Sequence, residues 1–210
     1  DDYAVLILEN IQGEGGIIIP EEGYLKRVEE LCKKNGVLLI LDEIQTGLGR
    51  TGKLFASEHE DVVPDMLLLG KSLGGGYTAT SAMVTTDEIW QRVYGSMSSC
   101  LSHSSTFSGS ALQCVAALEG LKVLEDEGLV YNSKKMGRYF LNRLQELKNS
   151  RLVKDVRGKG LMLGIELEDP FMEDDFTKNY MASLVGSRLL NEGNLVTIYT
   201  LNNPNVIRIE

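Results

Sequence analysis

At 210 residues, 43% hydrophobic and 24% charged, the chain has ordinary globular composition, which excludes a disordered, collagenous or coiled-coil chain. Thirty acids against 21 bases leave a net charge of −9, the wrong sign for a general nucleic-acid or anionic-membrane partner. Cys32, Cys100 and Cys114 are odd in number, with no CxxC and no paired histidines, so neither a disulfide framework nor a zinc site is expected and a reducing, cytoplasmic setting fits best.

Apolar runs then alternate with helical patterns. Residues 4–8 (AVLIL) read as a strand. Residues 21–35 read as a helix with acids in its first turn and Lys33, Lys34 and Gly36 at its end. Residues 37–41 (VLLIL) are apolar throughout and of strand length, the pattern of a strand covered on both faces. Residues 66–69 repeat that form, and 81–85 are a weaker third. Strand, helix and strand at this spacing predict an α/β fold with a parallel-type sheet.

From residue 111 the pattern changes. Two amphipathic helices are expected over 111–127 and 129–148, separated by Gly128. A hairpin around Gly158-Lys159-Gly160 joins 152–157 to 161–167, then come a helix over 176–191 and strands at 195–198 and 206–209. This α+β pattern places a domain boundary near 150, dividing residues 1–150 from 151–210. Both ends fall inside or next to strands, so the chain is expected to be a fragment of a longer protein.

Several motifs could carry chemistry. Gly47 to Gly52 match GxGxxG, but five residues separate the motif from the strand it should follow directly, so a tight turn is the better reading. Gly70-Lys71-Ser72 resembles the end of a P-loop, yet Asp65 stands where that loop needs its first glycine, and an acid would repel phosphate. What remains is Asp42 directly after one apolar strand and Lys71 just after the next. Ligands of open α/β sheets sit beyond the carboxyl ends of the strands. There a lysine near a carboxylate can be desolvated and turned into a Schiff-base nucleophile. Pyridoxal phosphate (PLP) chemistry uses such a pair, an amine for the covalent bond and a carboxylate for the pyridine nitrogen.

The blocks Asp42-Glu43-Ile44-Gln45-Thr46-Gly47, Pro64-Asp65 and Gly70-Lys71-Ser72-Leu73-Gly74-Gly75-Gly76 resemble the signature of the class-III aminotransferases. So do Glu9-Asn10-Ile11-Gln12-Gly13-Glu14, His103 to Gly109, Arg157 to Gly160 and Ile207-Arg208-Ile209-Glu210. The closing block is most similar to putrescine aminotransferases. The resemblance implies the fold type I of PLP enzymes, with part of a large domain and part of a smaller C-terminal one. It implies that Lys71 binds PLP, Asp42 pairs with the ring nitrogen and Gln45 bonds the ring's phenolic oxygen. It implies that Thr106 reaches the PLP phosphate of a neighbouring subunit, so that a homodimer shares its sites. Arg208 would grip a substrate carboxylate, and Glu14 would pair with that arginine when none is present. Glu9 and Arg50 are expected to make structural pairs, and His59 and His103 to be non-catalytic.

The sequence departs from the family pattern at Asn10, where proline is common, at Ser108 and Ser110, where glycine and asparagine are usual, and in a longer stretch from 90 to 102. The family's Ser-Gly phosphate loop and ring-stacking aromatic are expected upstream of Asp1. The implied activity is transfer of an amino group from a diamine or ω-amino acid to an oxo acid such as 2-oxoglutarate. An aminomutase, racemase or decarboxylase on the same scaffold, or a truncated inactive dimerising module, is the alternative.

Overall fold

A computed structural model describes residues 3–168 and 179–210. The first sheet has the order β1 (Val5–Glu9), β2 (Leu38–Asp42), β3 (Met66–Leu69), β4 (Ala82–Thr85). β1, β2 and β3 run parallel, whereas β4 returns antiparallel to β3, so the expected parallel-type sheet is mixed at one edge. The connection lets β4 fold straight back: residues 70–81 hold only a 3-10 turn, Lys71–Gly74, and no crossover helix.

Helix α1 (Tyr24–Asn35) links β1 to β2 and covers one face of β2. It begins three residues later than expected because Gly23 sits at its N-cap with φ 77, leaving Glu21 and Glu22 outside the first turn. Its end is as the sequence indicates, with Gly36 left-handed and its N–H donating to Lys33. Leu39 and Leu41 of β2 pack with Leu25, Cys32 and Val62, while Leu38 and Ile40 on the other face are only half-buried. Among the described residues the VLLIL run is therefore well covered on one face rather than both.

Helix α2 (Asp87–Tyr94) was not expected. Its signals are present nonetheless: the Thr86 side chain accepts from the Ile89 N–H, and Asp87 and Glu88 occupy its first turn. Helices α3 (Ala111–Asp126) and α4 (Leu129–Leu144) follow, and the end of the expected second helix tightens into a 3-10 turn over Gln145–Asn149.

The second sheet is antiparallel throughout, in the order β5 (Val153–Lys159), β6 (Met162–Leu167), β8 (Val206–Ile209), β7 (Ile198–Tyr199). Helix α5 (Met181–Gly193) covers it with Met181 and Ala182 against Val156, Ile165, Leu167 and Ile207. Residues 176–178 of the expected helix lie outside the described residues. The expected strand at 195–198 shrinks to Ile198–Tyr199, since only those two residues find partners, Arg208 and Ile207, on β8. Among the described residues no helix is long and apolar enough to cross a membrane.

The two sheets are tied by directed contacts. Arg157 on β5 reaches back to donate to the carbonyls of Gly16 and Ile17, and its Nη1 also meets Asp155 and Glu166. The Leu161 N–H and the Ser133 hydroxyl both donate to the Arg50 carbonyl at 3.0 and 2.9 Å.

Candidate active site

Three parallel strand ends build the site. Asp42 is the last residue of β2, in register with Glu9 on β1 and Leu68 on β3. Lys71 follows β3 after Gly70, so the carboxylate and the amine leave adjacent strands at the same edge of the sheet. Gly70 lets the two strand ends pass closely, since a Cβ there would come within 3.3 Å of the Ile44 side chain. Lys71 itself sits at φ 47, a left-handed conformation that costs a non-glycine residue about 1–2 kcal/mol. The turn that follows holds it there through Leu73 N–H to Gly70 and Gly75 N–H to Ser72. Among the described residues Lys71 is exposed, not desolvated as the sequence reading allowed.

Asp42 uses one oxygen, Oδ1, to accept the Ile44 N–H at 2.9 Å, and among the described residues Oδ2 accepts no hydrogen bond. Gln45, three residues on, donates through Nε2 to Glu210 at 3.0 Å. An amide nitrogen has two hydrogens, so one donor remains. Gly13 backs this amide so closely that any Cβ there would overlap Gln45 Oε1.

Beside them lies an alternating set of charges. Arg208 Nη1 is hydrogen-bonded to Glu14 Oε1, and Glu14 Oε2 accepts the Leu201 N–H at 2.9 Å. Partial burial raises the Glu14 carboxyl. The Leu201 N–H, the Arg208 guanidinium and the charge of Lys71 outweigh this and hold it below its ordinary value. Glu210 lies 2.5 Å from Arg208 Nε and 3.9 Å from Arg50 Nε, with the Arg208 N–H not aimed into a hydrogen bond. The structure thus brings Glu14, Gln45, Arg50, Arg208 and Glu210 into one network.

Thr106 stands in an exposed loop. Its neighbours Ser105 and Phe107 line an open cleft of about 780 Å³ with Ile44, Leu68 and Leu69, but Thr106 itself does not. Glu9 makes a structural contact, accepting the Gly13 N–H at 2.9 Å.

Two residues of the region were given no role by the sequence. Glu210 had one available signal, its place two residues after Arg208 on a strand, which puts both side chains on the same face. Glu43 is 1% exposed and accepts from Asn10 Nδ2, Thr46 Oγ1 and the N–H groups of Ala56 and Ser57. Burial pushes its carboxyl up, against the pull of those donors. Its neighbour Asn10 is the departure from proline, and it supplies a donor that proline lacks.

The sequence matches the family described as Aminotransferase class-III over residues 1–209. It is 52% identical over 164 residues to an ornithine aminotransferase of Brevibacillus brevis, covering 78% of this chain and 40% of that protein. Among solved structures, an acetylornithine aminotransferase from Elizabethkingia anophelis is similar with a TM-score of 0.82 and 40% identity, covering 97% of this chain and 47% of the other. An ornithine aminotransferase from Toxoplasma gondii, described with partial occupancy of PLP at its active site, has a TM-score of 0.83 and 37% identity, covering 97% and 44%. The chain spans about half the length of the relatives it matches.

Proposed function

Because the chain belongs to the class-III aminotransferase family, we propose that it forms part of a PLP-dependent transaminase passing an amino group from a diamine or ω-amino acid to an oxo acid such as 2-oxoglutarate. The observation that carries this reading is the placement of Asp42 and Lys71 at matching ends of two hydrogen-bonded parallel strands. The donor set fits PLP chemically: an amine, a carboxylate with one free oxygen, and an amide with one free N–H. Bound there, PLP supplies an electron sink conjugated to the carbon that carries the amino group.

The residues divide the work. Lys71 Nζ would hold the group covalently and, once an amine substrate had displaced it, would be free as the base that moves the substrate proton. Asp42, through its remaining oxygen, would keep the ring nitrogen protonated, and Gln45 would offer its remaining N–H to the ring oxygen. Arg208 receives the carboxylate of an oxo acid, for which its planar fork gives a bidentate fit. When an amine without a carboxylate in that position binds, Glu14 neutralises the guanidinium and presents an anion to a distal ammonium. Glu210 keeps Arg208 and Gln45 in register from the other side. In this proposal residues 1–150 belong to a large PLP-binding domain and 151–210 to a C-terminal one, and Thr106 acts across a homodimer. The ornithine and acetylornithine specificities of the named relatives agree with an ω-amino donor and do not select putrescine.

The test is chemical trapping. The longest natural chain carrying this sequence, incubated with PLP and reduced with borohydride, should carry the adduct on Lys71 by peptide mass spectrometry. Adduct on another lysine, or none, would refute the assignment.

A further inference from the structure

Three backbones meet at glycines on the second seam between the sheets. Gly52 closes the turn after β2, Gly137 lies mid-way along α4, and Gly160 makes the β5–β6 turn. A Cβ on Gly137 would overlap the Gly160 carbonyl, and one on Gly160 would overlap the Thr51 backbone. A Cβ on Gly52 would press to 3.0 Å from Lys134. The side chains flanking these glycines are therefore drawn together, and they are cationic. A cavity of about 230 Å³ opens here, lined among others by Lys53, Lys134, Arg138, Lys159 and His59.

Among the described residues no acid lines this cavity. Helix α4 contains no acid in any of its 16 residues. Lys53, Lys134, Arg138 and Lys159 make no ion pair among the described residues, although the chain carries nine more acids than bases. The two acids flanking His59 are engaged elsewhere: Glu58 accepts the Phe55 N–H and Glu60 the Lys26 N–H. His59 Nε2 lies 3.0 Å from Thr51 Oγ1, and which of the two donates depends on the imidazole tautomer. Four like charges gathered from three elements repel one another, and a folded chain holds them together at a cost that an anion in the cavity would relieve.

We propose that this pocket binds a small, doubly charged oxyanion of the phosphate class. The volume falls below the ~300–1,000 Å³ of drug-sized sites, which suits a small ion with its waters. Three lysines and an arginine line the same opening, so ammonium and guanidinium donors are both available to the oxygens of a small anion there. Asp42, Lys71, Gln45, Glu14 and Arg208 take no part, so the site is separate from the proposed transaminase chemistry. Its position spans the turn after β2, α4 and the β5–β6 hairpin, so occupancy would clamp the seam between the sheets.

His59 is a built-in reporter. Burial, then the charges of Lys159 and Lys53, lower its imidazole from the ordinary value, against the Thr51 contact and Glu58. A bound anion stabilises the imidazolium, so the His59 titration must move up in pH. The experiment is NMR of the histidine ring protons in the longest natural chain carrying this sequence, with His59→Gln to assign the signal. Inorganic phosphate is titrated at ionic strength held constant with sodium chloride. The His59 signal should shift saturably and its midpoint rise by about half a pH unit or more, while His103 is unmoved. The double variant Arg138→Gln, Lys159→Gln should weaken phosphate binding about tenfold or more, as expected for losing two charge-assisted contacts. Lys53→Gln with Lys134→Gln, both on exposed side chains, should do likewise and serves if the first pair does not fold. A His59 shift that does not saturate, that chloride or His103 reproduces, or that survives in the folded variants would overturn the proposal.

Discussion

At the residue scale, Asp42 and Glu43 are adjacent acids with opposite circumstances. Asp42 keeps an oxygen free, whereas Glu43 is enclosed by four donors. Glutamine at position 43 offers one acceptor and turns an NH2 toward N–H groups that need an oxygen. Glu43→Gln should therefore cost about 1–3 kcal/mol in urea unfolding, the range for stranding buried donors. Because the Glu43 pKa is raised on folding, the native state binds the extra proton, and wild-type stability falls as pH rises through the folded value. The gap between wild type and variant should widen on acidification through that value. Glu14 has the reverse sign: its pKa is lowered on folding, so its contribution is present above the unfolded value of 4.5 and lost as pH falls through the folded one. Arg208 carries the kinetic prediction. Arg208→Ala should impair the oxo-acid half-reaction by about 2–5 kcal/mol, or roughly 30-fold to several-thousand-fold, because a buried charge pair loses its partner. The diamine half-reaction should suffer far less, and single-turnover measurements of each half would separate the two. Equal losses would make Arg208 a structural residue.

At the scale of elements, the strands and long helices were legible because their periods are local. The run VLLIL, the Gly36 stop after Lys33 and Lys34, and Gly128 between α3 and α4 each announce an element within a few residues. What was illegible depends on partners distant in sequence. β4 runs antiparallel because of the short connection from β3, β7 is two residues long because β8 sets its register, and Glu210 matters because it meets Gln45 165 positions away. Helix α2 differs, since Thr86, Asp87 and Glu88 supply a local start signal but eight residues hold too few turns to set up a clear apolar period. The glycines show the same division. Gly193 ends α5 with nothing within 4 Å of a Cβ, whereas Gly137 in α4 abuts the Gly160 carbonyl. Helix propensity alone favours alanine at both by up to about 1 kcal/mol. Gly193→Ala should leave the melting temperature unchanged or raise it slightly, and Gly137→Ala should lower it sharply, because the β5–β6 turn must be pushed off α4. Thermal unfolding of the two variants side by side reads this difference, and equal effects would mean that the seam is loose.

At the scale of the whole molecule, the apolar surface is distributed unlike that of a self-sufficient chain. Val5, Leu6 and Ile7 of β1 are exposed, as are Met83 and Val84 of β4 and Leu112, Val115 and Leu118 of α3. β1 and β4 are also the two edges of their sheet, so exposed apolar side chains coincide with unpaired backbone donors and acceptors. Open edges of this kind template pairing between chains, and contiguous apolar faces mark surfaces that another segment or subunit covers. The chain spans about half the length of its relatives, so there is ample polypeptide in those proteins to provide such cover. Net charge of −9 slows self-association but does not satisfy a strand edge. Produced as these 210 residues alone, the chain should self-associate, bind a dye selective for exposed apolar surface, and form no glutamate from 2-oxoglutarate with putrescine, ornithine or GABA in the presence of PLP. The second sheet should behave differently, because α5 covers it and Val206, Leu163 and Met162 are fully buried. Hydrogen exchange should therefore find protected amides in β5, β6 and β8 while β1 and β4 exchange quickly. Sedimentation velocity, the amino-transfer assay and the exchange map check this together. A monodisperse chain with uniform protection and robust turnover would show that α3 and the first sheet need no further cover.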